Sequence, residues 1–145
     1  MHSIFQLIKI LTLALLITAC TTTPYVRHKT PKINGEIIIN QQVASDIKVY
    51  LSTNGSDTLC LKALRWTTTD IYGRFSFETV KDHMTYTPLM THYLDEWVIC
   101  ADIQGQRQQI YSGNRYGMGS VIESLNLRCE VGASTTSGNI CRPVL

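Results

Sequence analysis

The chain has 145 residues, 13 Lys and Arg against 11 Asp and Glu, and 44% hydrophobic side chains. That length suits one domain, which buries roughly two thirds of its unfolded surface. A net charge of +2 gives no sign of the clustered basic face that nucleic-acid binding calls for, and no nucleic-acid partner is expected.

Residues 1–19 have the three parts of a secretory leader: Lys9, a short apolar run from Ile10 to Ile17 broken only by Thr12, and small residues at Thr18 and Ala19. The run is too short for a transmembrane helix, which needs ~20 apolar residues. Ile17-Thr18-Ala19-Cys20 resembles the lipobox of bacterial lipoproteins. The resemblance implies a diacylglycerol thioether on Cys20, cleavage before it and acylation of its amine, palmitate-type chains forming a membrane anchor. Thr21, not Asp, follows Cys20, and by the same resemblance this implies the periplasmic face of the outer membrane. Several acyl chains make such an anchor stable, at ~0.8 kcal/mol for each buried methylene.

Removing the leader leaves 126 residues with 12 basic and 11 acidic side chains, near neutrality. With Cys20 assigned to lipid, Cys60, Cys100, Cys129 and Cys141 remain, an even set suited to disulfides in an oxidising compartment. Four cysteines allow three connectivities. The expected pairs are Cys60–Cys100 and Cys129–Cys141. Cys60 and Cys100 share strand faces with Lys62 and Asp102 and lean towards solvent, while Cys129 lies on the face of Leu125 and Leu127 and Cys141 pins the tail.

Residues 20–32 form the expected tether: Pro24 and Pro31, no apolar period, and Arg27, His28, Lys29 and Lys32. Residues 33–145 form the expected domain. Gly35–Asn40 is a strand candidate, buried on both sides at Ile38. Asp46–Thr53 alternates, with Ile47, Val49 and Leu51 on one face. Asn54-Gly55 favours a tight reversal, and this outweighs the glycosylation sequon Asn54-Gly55-Ser56. Leu59–Thr68 resumes the strand pattern. In Thr67 to Phe77 (TTTDIYGRFSF) Asp70 caps a turn and Gly73 closes it, with Phe75 and Phe77 pointing into a core and Arg74, Ser76 and Glu78 out.

The last stretch, with residues 33–37 and 44–51, resembles the hairpin and first strands of carboxypeptidase-regulatory-like and other transthyretin-like β-sandwich domains. The resemblance implies fold and is nearly silent on function. Trp97–Ile103 is a strong strand with Trp97, Ile99, Ala101 and Ile103 on one face, and Gln104–Tyr111 pairs with it through a turn at Gly105. Ser112–Ser120 reads as a glycine-rich exposed loop, and Val121–Glu130 as the closing strand, with Leu125 and Leu127 inward. The polar tail, 131–145, is tied down by Cys141. About seven strands and no amphipathic helix in the mature chain make an all-β, antiparallel β-sandwich (transthyretin-like or Ig-like), with a small closed barrel as the alternative.

No nucleophile elbow, zincin helix or phosphate loop occurs, and Gly117-Met118-Gly119 lacks a third glycine. Asp82, His83, His92 and Asp95 are the available metal donors, but without ligand spacing they read as solvated polar residues. No catalytic residue, metal or cofactor is expected. Ser112-Gly113-Asn114-Arg115-Tyr116 is similar to the Ser-Gly-x-[Arg/Lys]-Tyr motif of membrane-bound inhibitors of c-type lysozyme, which implies an interaction loop placing Ser112 and Arg115, beside Tyr116, in a glycosidase cleft. The expected function is therefore a non-enzymatic envelope lipoprotein presenting a β-sandwich to the periplasm for protein or ligand binding. The alternative is an inhibitor or immunity lipoprotein against a wall-degrading hydrolase. The expected partners are the membrane, through lipid, and an envelope protein.

Overall fold

The structure, a computed structural model, describes Gln6 and residues 23–86, 93–117, 124–132 and 140–144. Eleven strands follow in chain order: β1 (Thr23–His28), β2 (Lys32–Ile39), β3 (Gln42–Val43), β4 (Lys48–Ser52), β5 (Arg65–Thr68), β6 (Arg74–Phe77), β7 (Lys81–Tyr86), β8 (Leu94–Ile103), β9 (Gln106–Tyr116), β10 (Ser124–Val131) and β11 (Cys141–Pro143). One sheet runs β11-β10-β2, with β6 and β3 sharing the far edge of β2; the other runs β5-β4-β8-β9. The pairs are antiparallel except β10 on β2, which is parallel. Most of the chain separates those two strands, and its passage through the opposite sheet supplies the crossover that a parallel pair needs.

Period-two alternation sends one face of each sheet into a common core. Ile33, Ile37, Phe75, Phe77, Leu127 and Cys129 come from the first sheet; Val49, Leu51, Trp97, Ile99, Ala101 and Ile110 come from the second. Each fully buried aliphatic side chain contributes about 1.5–3 kcal/mol relative to exposure. Gly35 lies directly opposite Phe75, and a Cβ on it would stand 2.1 Å from the Phe75 ring. Glycine at this inward position gives the ring its place in the core. The turn before β6 is built as its residues predict: Asp70 Oδ1 accepts from the amides of Tyr72 and Arg74, both at 2.9 Å, and Gly73 takes φ +72°. The β8–β9 hairpin turns on Gln104 and Gly105, with φ of 53° and 79°, the left-handed pair that matches strand twist.

Several expectations are corrected. The tether of residues 20–32 is not a linker throughout: Thr23–His28 is β1, paired antiparallel with β7. Charge and proline masked a workable strand, in which Tyr25 and Val26 provide β propensity and Pro24 sits near the strand start. This ribbon continues the β2–β6 ladder through a bulge: His28 faces Lys81 and Ile33 faces Phe77, so residues 29–32 oppose residues 78–80. Ile38 is half-buried, because Ile33 and Ile37 take the inward positions. Asn54-Gly55 does begin a tight turn, closed by the Asp57 amide on the Asn54 carbonyl at 3.0 Å, but the turn opens a long connection and not a hairpin, and only Arg65–Thr68 of the Leu59–Thr68 stretch is strand. Apart from Gln6, the signal segment lies outside the described residues, as do Cys20, His92 and the start of the expected Val121–Glu130 strand.

Candidate functional site

Strand β9 is the outer strand of its sheet. It carries Ser112, Arg115 and Tyr116, and the expected interaction loop at Ser112–Tyr116 is therefore corrected to strand. Gly113 faces Trp97, and a Cβ there would lie 2.5 Å from the indole. The glycine taken as a loop signal is packing space for a tryptophan. Ser112, Asn114 and Tyr116 alternate to the exposed side.

Arg115 is engaged within the fold. Its Nη2 donates to Asp95 Oδ2 at 2.8 Å and to the carbonyl oxygen of His28. Arg27 donates Nη2 to Asp95 Oδ1 at 2.5 Å and Nε to Oδ2 at 3.3 Å, and its guanidinium lies 4.1 Å from the centre of the Tyr93 ring. One buried carboxylate thus joins β1, β8 and β9. Two cations per carboxylate, donated as charge-assisted hydrogen bonds, satisfy an acid that burial alone would leave costly. The expectation that Asp95 is a solvated polar residue is corrected, since it is buried, and Arg27, expected in a solvated tether, is its partner. No local signal links residues 68 positions apart. Asp82 pairs with Lys29 at 3.3 Å, His83 stands opposite Val26, and no group of three or more metal-ligating side chains gathers among the described residues.

Beside β9 lies a cleft of about 380 Å³, lined by Pro31, Glu96, Trp97, Ser112, Asn114 and Leu125 among others. Trp97 is 5% exposed, and its Nε1 is buried with no hydrogen-bond partner. Such a donor costs about 1–3 kcal/mol when left unmade. Tyr111 also lines the cleft, and burial pushes its hydroxyl pKa up.

On the outer face of this sheet the Arg107 guanidinium stacks 3.6 Å from the Tyr50 ring centre. Tyr50 donates its hydroxyl to Asp102 at 2.8 Å, and Arg107 Nε donates to the same carboxylate at 3.0 Å. The hydrogen bond to Asp102 is the main cause that raises the Tyr50 pKa. Burial pulls the Asp102 carboxyl up, but bonds from Arg107 and Tyr50 together outweigh it and hold the group below its ordinary range.

Disulfides join Cys60 to Cys100 and Cys129 to Cys141. Cys60 and Cys100 do not lean towards solvent: both are buried with Val98, under the connection between β4 and β5. Cys60 sits in a turn at φ 47°, off any strand, so alternation with Lys62 does not describe it. Neither a protein-family model nor a curated protein matches the chain.

Proposed function

We propose that this chain is a non-enzymatic envelope lipoprotein, anchored through Cys20 in the outer membrane, whose transthyretin-like sandwich holds a protein partner in the periplasm. The leader, the lipobox-like Ile17–Cys20 and two buried disulfides suited to an oxidising compartment support the address. The observation that carries the binding role is the β9 edge. It is an eleven-residue strand whose outer side has no ladder partner among the described residues, next to a cleft with an unpaired indole donor. The positions of β9 that lack a ladder partner offer backbone donors and acceptors to an added strand, and the cleft offers side-chain selectivity. An inhibitor of a wall-degrading hydrolase is the second role. The Ser112–Tyr116 motif favours it, but Arg115 would first have to leave Asp95 and the His28 carbonyl.

The test is photo-crosslinking in cells from a reactive amino acid at Asn114, with Ser76 on the other sheet as the control site. An envelope protein captured from Asn114 alone supports binding at the β9 edge, and a wall-degrading enzyme captured there supports the inhibitor role. Equal capture from both sites, or none from Asn114, refutes both.

A further inference from the structure

The twelve residues 53–64 between β4 and β5 form a hydrogen-bonded connection with an unusual distribution of side chains. Asp57 organises it: Oδ1 accepts from the Leu61 amide at 2.8 Å, and Oδ2 from the Lys62 amide at 2.9 Å and the Ser52 hydroxyl at 3.0 Å. Backbone bonds from Cys60 to Asp57 and from Leu64 to Leu51, and the disulfide to Cys100, fix the rest. The inward positions go to small residues: Cys60 is buried and Ala63 packs beside it against Val98 and Cys100. The large residues are left outside. Leu59, Leu61 and Leu64 are 48%, 76% and 56% exposed, and Trp66, at the start of β5, is 65% exposed. Scattered apolar exposure needs no explanation, but four large apolar side chains within eight residues of a pinned backbone do.

Three cations accompany them. Lys62 lies between the leucines, the Lys48 ammonium stands 6.0 Å from the Trp66 ring centre, and Arg65 precedes Trp66 on β5 with its Nη1 donating to the Glu78 carbonyl oxygen at 2.9 Å. Of the nearby acids, Asp57 is bonded within the turn and Glu78 pairs with Lys32 at 2.8 Å, while the Glu96 carboxylate lies against Gly55 at the opening of the connection. Protein interface cores deplete lysine, and leucine is under-represented among the residues that dominate protein binding. Leucines with a tryptophan at their margin and basic residues around them are instead the composition of a surface that enters a bilayer interface. Position agrees with this. The turn follows Ser52, which faces Val98 near the start of β8, and Asp95 on that start holds Arg27 of β1. The turn therefore lies at the end of the sandwich from which the chain leads back to its N-terminus.

We propose that Leu59, Leu61, Leu64 and Trp66 enter the interfacial layer of an anionic bilayer, with Lys48, Lys62 and Arg65 at headgroup level. Each cation then strengthens partition about fivefold near an anionic surface. The contact is separate from any partner on β9, and its positional support rests on the N-terminal anchor proposed above.

The chain has two tryptophans, Trp66 exposed and Trp97 buried, so fluorescence reports the contact directly. The full chain is reconstituted into vesicles of phosphatidylethanolamine and phosphatidylglycerol carrying acyl chains brominated near the headgroup. Trp66 emission is expected to shift to the blue and to be quenched by bromine, while Trp66→Phe loses the quenching and keeps Trp97 emission. Lys62→Glu with Arg65→Glu is expected to lower quenching at least fivefold, and Leu61→Ser with Leu64→Ser to lower it similarly without loss of fold. Trp66 emission that stays that of a hydrated indole, equally open to iodide with and without vesicles, overturns the proposal. Equal quenching in purely zwitterionic vesicles also overturns it, because the cations would then contribute nothing. Shielding of Trp66 in native envelopes but not in vesicles overturns it in favour of a protein partner.

Discussion

Replacing Asp95 by Ala tests whether one carboxylate fastens the β1–β7 ribbon to the sandwich. The Asp95 side chain is 4% exposed and holds Arg27 and Arg115, themselves 13% and 20% exposed. Removing one member of a buried ionic cluster typically costs 3–5 kcal/mol, because the remaining charge is left without a partner. Both guanidinium groups retain some access to water, which places the loss near the lower end, about 3 kcal/mol. With a urea slope of about 2 kcal/mol/M for a domain of this size, the unfolding midpoint falls by about 1.5 M. The measurement is equilibrium urea unfolding at pH 7, with proteolysis of residues 23–28 as a local probe of the ribbon. A companion variant carrying Leu at Arg27, Asp95 and Arg115 together should recover most of the loss, since apolar replacement of a buried ionic cluster is often neutral or stabilising. A midpoint shift for Asp95→Ala below about 0.3 M, or a triple variant as unstable as the single one, refutes the structural role.

Gly35→Ala should destabilise by about 2 kcal/mol through the clash with Phe75, and Phe75→Leu in the same chain should recover part of that loss; strict additivity in the double-mutant cycle refutes the clash. Cys60→Ala with Cys100→Ala should lower stability by about 4 kcal/mol through the 40-residue loop it opens, measured by urea unfolding under non-reducing conditions. Stability should also fall towards acid pH. The carboxyl pKa values of Asp57, Glu78 and Asp102 are depressed in the fold, so their contribution is present above the ordinary values of 3.8 and 4.5 and is lost as pH falls below them. The raised Tyr50 pKa acts in the opposite direction: its contribution holds below pH 10.0 and is lost as pH rises above it. Tyr50→Phe should reduce both limbs of the stability–pH profile while leaving an alkaline slope from Tyr111, and an unchanged profile refutes the Tyr50–Asp102 bond.

Where the chemistry is local, the sequence was legible. The alternation of Val49 and Leu51, and of Trp97, Ile99, Ala101 and Ile103, marks the core faces that the fold uses. Asp70 and Gly73 announce their turn because a side-chain oxygen two residues from its target and a residue free to take positive φ are properties of that short segment. The misread segments share a cause. Gly113 resembles a loop glycine until Trp97 is seen to fill its missing Cβ. Thr23–His28 resembles a tether until β7 supplies its ladder and Asp95 its counter-charge. In each, the decisive neighbour lies far away in the chain.

The sequence by itself determined the all-β class, the inward and outward faces of the principal strands and the cysteine set from which disulfides could form. These follow from period-two patterning, turn chemistry and parity, which act over a few residues or are simple counts. Only the tertiary structure decided that β10 runs parallel to β2, that Arg115 is bound to Asp95 instead of standing free on a loop, and that Cys60 and Ala63 face inward and leave three leucines and Trp66 outside. Those outcomes depend on which distant side chain occupies the space or supplies the opposite charge, information that no local window of sequence contains.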